Sequence, residues 1–205
     1  MSKGEKTRQH IVERAATLFN QRGFEGGTMA HLMEATGLEK GGIYRHFSTK
    51  EELAAEAFDF AWQASTEARV HDLDSVANSV DKLKRFVGNF VERRSSVPGG
   101  CPLLNTAVDA DDGNPLLRER AHKALKQWQD ILGSIVKAGL ERKEIKSSVE
   151  PKKLANLIIG SLEGALMISR LERNRDALCE ARMHLESYLE AEVRRQGKQV
   201  ATRVK

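Results

Sequence analysis

The chain has 205 residues, 40% of them apolar and only four prolines, which is enough to bury one large core or one small and one medium core. That excludes a chain disordered throughout. The charged start "MSKGEKTRQH" and the want of a run of roughly 18 apolar residues point to a cytoplasmic protein with no leader or membrane segment.

The net charge of +4 is unevenly placed: residues 1–50 hold eight Lys/Arg against five Glu, the tail from 194 holds five basic residues and no acid, and the stretch between is mildly acidic. A basic head on an acidic body suits a polyanion partner; the plainer reading is a solvated surface of mixed charge.

In chain order, Ile11, Ala15, Leu18 and Phe19 form the apolar face of a first helix that Gly23 stops. Thr28 is placed to cap a short second helix carrying Leu32 and Met33, and Gly37 sits where a left-handed helix end is wanted. After "KGGIYRHF", the segment "STKEEL" offers two overlapping capping boxes, Ser48 with Glu51 and Thr49 with Glu52, for a long helix through Leu53, Ala57, Phe60 and Ala61. Val80, Leu83, Val87 and Phe90 predict another helix ended by "SSVPGG". A loop or short helix spans 101–114, and Asn114-Pro115 opens a helix through Ala121, Leu125, Trp128, Leu132 and Ile135. Pro151 opens a helix apolar on nearly every side, which one protomer can bury on one side only. Leu178, Ala181, Leu185 and Tyr188 mark a last amphipathic helix. The expected class is all-α.

Two short helices joined by a Gly-containing turn, inside a basic unit of about 50 residues, fit a helix-turn-helix. Its second helix enters the major groove of duplex DNA. Residues 28–36 read as the first helix and 40–46 as the second. Gly41 and Gly42 then let backbone approach DNA, Tyr44, Arg45 and His46 supply donors to phosphates, and Lys40 reaches a guanine edge or a phosphate. Lys50 stands at the start of the next helix, where an anion is favoured. Phe47 reads as a core plug; His31 faces either DNA or solvent.

The stretch "TMAHLMEATGLEKGGIYRHFSTKEELAAEAF", within a match from about Thr7 to Phe58, resembles the DNA-binding region of the tetracycline-repressor (TetR) family of bacterial transcription factors. The resemblance implies phosphate contacts from Thr28, Tyr44, His46 and Lys50, and base contacts from Lys40, Gly41 and neighbours. Glu39 and Gly42 depart from the pattern, standing where a small hydroxyl residue is usual, with Arg45 a candidate replacement.

The same resemblance implies a DNA-binding domain over 1–50 and a larger helical domain over 51–205 that dimerises through its last two helices and holds a small-molecule effector. Candidate pocket residues are Phe58, Trp62, Phe86, Phe90, Cys101, Leu104, Trp128, Leu162 and Met167, an apolar and aromatic set that is equally a plain core. Candidate dimer residues are Leu157, Gly160, Gly164, Ile168, Leu185 and Tyr188; the Gly160/Gly164 spacing permits close helix approach between protomers or within one. A dimer has a geometric motive, since a two-fold protein reads a palindrome. The expected function is a ligand-released repressor. In that mechanism the effector moves the helix beginning at Ser48 or Thr49.

Two alternatives stand beside it. Cys101 in "PGGCPLL" is a candidate thiol sensor of electrophiles or oxidants. A helical-bundle enzyme or a scaffold is the other class. A di-iron site needs two Glu-x-x-His units where the chain has Glu119 to His122 alone, and "DADDGN" misplaces a calcium loop's glycine. No metal or cofactor is called for. Cys101 and Cys179, the only cysteines, read as free thiols.

Overall fold

A computed structural model describes residues 1–93, 95–110 and 113–196. The basic residues 198, 203 and 205 of the tail, and Asp111 and Asp112 of the calcium-like segment, lie outside the described residues. Among the described residues nine α-helices follow one another: α1 Lys3–Gly26, α2 Met29–Thr36, α3 Lys40–Tyr44, α4 Lys50–Val70, α5 Ser79–Glu92, α6 Pro102–Asp109, α7 Pro115–Glu141, α8 Pro151–Glu172 and α9 Asp176–Tyr188. Among the described residues there is no strand, only an isolated bridge between Ile145 and Arg194.

Cap chemistry explains most of the boundaries. Ser2 and Glu5 close a capping box on α1. Gly23 interrupts that helix at φ 73, a conformation an L side chain seldom adopts. Thr28 caps α2 and Gly37 ends it at φ 69. Of the two boxes expected before α4 neither closes; only the side-chain half of the later one forms, with Thr49 as the N-cap. Thr49 Oγ1 accepts the Glu52 N–H at 3.0 Å, and the Glu52 carboxylate reaches back to the Ser48 N–H at 2.7 Å. Glu52 serves both residues, so Ser48 and Glu51 form no box of their own. Asn114 Oδ1 accepts the Leu117 N–H at 3.1 Å at the start of α7, and Pro102 and Pro151 open α6 and α8, where a missing N–H costs nothing.

The chain packs as two compact units, residues 1–71 with 92–128 and residues 72–91 with 129 onward. The first has a core of Ile11, Ala15, Leu32, Ile43, Phe47, Leu53, Ala57 and Val97. In it α1 packs chiefly on α4, then on α2 and α6.

The second unit buries Leu83, Phe86, Val87, Leu132, Ile158, Leu162 and Leu189, with α8 packed along α9. A polar network closes its rim. Ser79 donates its N–H to Glu144 at 2.7 Å and accepts from Arg142 at 2.7 Å, while Lys84 and Arg194 share Glu190, and Arg194 also reaches Asp81. The Lys84 hydrogen bond, with Arg194 beside it, holds the Glu190 carboxyl below its ordinary range.

α8 has the length and, at a mean hydropathy of 1.3 over its most apolar 18 residues, the composition of a membrane span. Just 44% of that window is buried in the protein. Leu157, Met167, Ile168 and Leu171 are exposed, at positions that recur on one side of the helix.

Candidate DNA-reading head and effector region

The reading segment cannot hold itself together. α3 is five residues with two adjacent glycines, and its N-cap, Glu39, makes no side-chain bond. A helix that short does not survive alone. Ile43 and Phe47, each 1% exposed, pin it into the first unit's core beside Ile11 and Leu32. Phe47 is therefore the plug that its sequence context suggested, and the Arg8 guanidinium lies 4.5 Å over its ring while pairing with Glu56.

What α3 leaves outside is polar and basic. Thr28, Lys40, Gly41, Tyr44 and Arg45 are exposed, with Gly42 and His46 half-buried. The Lys40 ammonium stands 5.7 Å from the Tyr44 ring. Among the described residues neither Lys40 nor Arg45 forms an ion pair, so both charges remain available to an outside anion. A Cβ at Gly41 would meet no atom within 4 Å, and one at Gly42 would only touch Leu38 at an ordinary 3.6 Å. The fold does not require either residue to be glycine.

Two candidates are engaged inside the protein. Lys50 Nζ donates to the Phe24 carbonyl at 2.6 Å and lies 4.1 Å over the Phe24 ring. The His31 ring turns back on the turn before α2. Its Nε2 is 2.8 Å from Arg22 Nη1 and its Nδ1 is 3.1 Å from the Gly26 carbonyl. Arginine only donates, so Nε2 accepts, while Nδ1 faces both the Gly26 carbonyl and, at 3.4 Å, the Thr28 N–H of the α2 capping box.

The effector candidates fall in both units. Phe58, Trp62, Cys101, Leu104 and Trp128 belong to the first; Phe86, Phe90, Leu162 and Met167 belong to the second. In the first, Trp62 and Trp128 meet with ring centroids 5.1 Å apart, Trp62 Nε1 donates to Gln127 at 2.6 Å, and Arg69 lies 4.8 Å over Trp128. Phe58 lines a cleft with Ala16, Asn20, Pro102, Asn105 and Leu117. In the second, Phe86, Phe90 and Leu162 are buried, but Met167 is 49% exposed and groups with the open side of α8. Cys101 is 1% exposed, at the N-cap of α6.

Of the dimer candidates, Leu157, Gly160 and Ile168 are exposed and Gly164 and Tyr188 half-buried. Added Cβ atoms at Gly160 or Gly164 would meet nothing within 4 Å, so neither glycine serves close packing inside the described protomer. Leu185, 1% exposed, is committed to its own unit's core and has no surface to offer a partner. Among the described residues no group of three or more His, Cys, Asp or Glu could hold a metal ion.

Three residues escaped the sequence reading. Asp109, Asn105 and Asn20 hold α6 against α1. One signal was present: an acid closing a short helix at the end where acids are disfavoured.

Two family models match the chain. One described as bacterial regulatory proteins, tetR family, covers residues 11–57, and one described as tetracyclin repressor-like, C-terminal domain, covers 79–185. A transcriptional repressor named DhaR from Mycobacterium sp. (strain GP1) is 26% identical over 172 residues, 83% of this chain and 86% of that one. A TetR transcriptional regulator from Chloroflexus aurantiacus superposes with a TM-score of 0.91 at 42% identity, covering 96% of this chain and all of its own. A TetR-family regulator from Cytophaga hutchinsonii gives 0.88 at 34%, covering 96% and 99%.

Proposed function

Since the chain belongs to the TetR family of bacterial regulatory proteins, whose members are DNA-binding transcription regulators and not enzymes, we propose that it is a homodimeric repressor released from a palindromic operator by a small apolar or aromatic effector. Residues 1–50 serve as the reading domain and 51–205 as the effector and dimer domain of a cytoplasmic protein. Thr28, Lys40, Gly41, Gly42, Tyr44, Arg45 and His46 form the contact set, Lys40 and the glycines at base edges and the others at phosphates. The observation that carries this reading is a weak helix pinned by Ile43 and Phe47 while its unpaired cations and a tyrosine stay outside.

The effector reading rests on the paired tryptophans and buried phenylalanines; the dimer reading rests on the open side of α8. A ligand shifts the DNA-bound population only by binding one head spacing better than another. The burial of Cys101 tells against a thiol sensor.

Enrichment of duplexes from a random-sequence pool tests the central part. The full chain is expected to enrich a two-fold symmetric site with half-sites about one helical turn apart or a multiple of it. Tyr44→Ala/Arg45→Ala is expected to enrich nothing. A site enriched equally by that variant would sink the assignment of α3.

A further inference from the structure

α1 runs regularly to Arg22 and then breaks, because Gly23 sits at φ 73. The chain turns back through residues 23–27 and starts α2 against the last turn it has just left. The return is tight: a Cβ at Gly27 would lie 2.6 Å from the Phe19 ring. Arg22 and the cap of α2 are thereby brought together, and the His31 ring stands between them.

His31 occupies the third position of α2, where a capping box ordinarily has Glu or Gln. Its backbone N–H donates to Thr28 Oγ1 at 3.3 Å, and its ring Nδ1 faces the Gly26 carbonyl at 3.1 Å and the Thr28 N–H at 3.4 Å. One edge of the ring is thus fixed on the turn. The other edge presents Nε2 to the guanidinium of Arg22, 2.8 Å from Nη1.

The residue type at that position has an electrostatic consequence. A Glu there would cap α2 and would also pair with Arg22, cancelling its charge. The imidazole holds the guanidinium and cancels nothing. Among the described residues no carboxylate pairs with Arg22 or with His31, and Arg22 is exposed.

We propose that Arg22 is a further phosphate contact of the reading head and that His31 is its positioning residue, holding an uncancelled guanidinium one imidazole ring away from Thr28. The inference rests on the DNA-binding reading above and extends its contact set across the turn to α1. A guanidinium held in this way loses less side-chain freedom on meeting a phosphate than one that hangs free, and its planar fork can take two phosphate oxygens. Thr28 Oγ1, which accepts from His31, keeps its own hydrogen to donate to a phosphate beside it.

The salt dependence of binding to an enriched duplex, measured on the full chain, decides it. Arg22→Ala is expected to lower the log–log slope by about one while helicity and melting temperature stay as they are. An unchanged slope overturns the contact. His31→Ala is expected to weaken binding several-fold in the native background and to add nothing in the Arg22→Ala background, whereas His31→Gln, which keeps both the cap and an acceptor, binds as the native chain does. An equal loss in both backgrounds assigns His31 to the cap alone and overturns its positioning role. Should His31→Ala fail to fold, His31→Glu decides the point. It keeps the cap and pairs with Arg22, so it is expected to lower the slope by about one in the native background and to leave it unchanged in the Arg22→Ala background; an equal drop in both overturns the role. A native chain that enriches no duplex removes the DNA-binding reading and this contact together, while a steep native slope that Arg22→Ala leaves intact removes the contact alone.

Discussion

In the proposed reading Gly42 serves at the DNA rather than inside the protomer, where a side chain would meet only Leu38, at van der Waals distance. Gly42→Thr is expected to leave the melting temperature within a few degrees while changing the enriched operator sequence, since each base pair read correctly is worth about 1–3 kcal/mol. An unfolded variant, or one with the same preference, would tell against a reading role. Gly23 differs: Gly23→Ala must hold an alanine at φ 73 against Asp109. A loss of about 1–3 kcal/mol in urea unfolding is expected. Thr28, Gly23 and Gly37 were legible because cap chemistry is written within a few residues. Asp109 was not, because its partner is 85 positions away and its own neighbours read as a surface loop. For Lys50 the position after Thr49 is visible in the sequence, while its hydrogen bond to Phe24 is not.

Among the elements, α8 carries the dimer reading. Leu157 and Ile168 are more than two-fifths exposed in the protomer and share a side of the helix with Gly160 and Gly164. Leu157→Asp/Ile168→Asp is expected to shift the chain from dimer to monomer in sedimentation while the protomer stays helical; a native chain that sediments as a monomer contradicts the interface. The all-round apolar pattern of α8 is the sequence ground for that proposal, because a helix with no polar side needs two covers. Its partner α9 was misjudged at Leu185, since amphipathicity says which face is apolar but not which body covers it.

The rim of the second unit makes a pH prediction. Lys84 and Arg194 hold the Glu190 carboxyl below its ordinary value, so its folded pKa is lower than its unfolded one. The stability it contributes is fully present above the ordinary carboxylate range and is lost as pH falls through the lowered folded value. Glu190→Gln is expected to flatten that acid limb of the unfolding curve and leave neutral-pH helicity unchanged.

At the scale of the molecule, an all-helical chain with a reading head and a larger body could be read from periodicity, caps and charge. The packing of residues 92–128 with the first 71 could not, because no local pattern reports which distant helix a face meets. That packing places α6 on α1 within the first unit. Cys101→Ser is expected to leave release from the operator by quinones or peroxide unchanged, as a buried thiol requires; loss of that response would restore the sensor reading.

The most direct test of the reading head is the salt dependence of binding to the enriched duplex, for the native chain and for Lys40→Ala and Arg45→Ala. Several phosphate contacts made together give a log–log slope of about −0.9 per contact. The expected result is a slope of several units that falls by about one for each variant acting at a phosphate, with relaxed base preference where Lys40 reads a guanine. A shallow slope, or one that neither variant changes, would contradict DNA reading by residues 28–46.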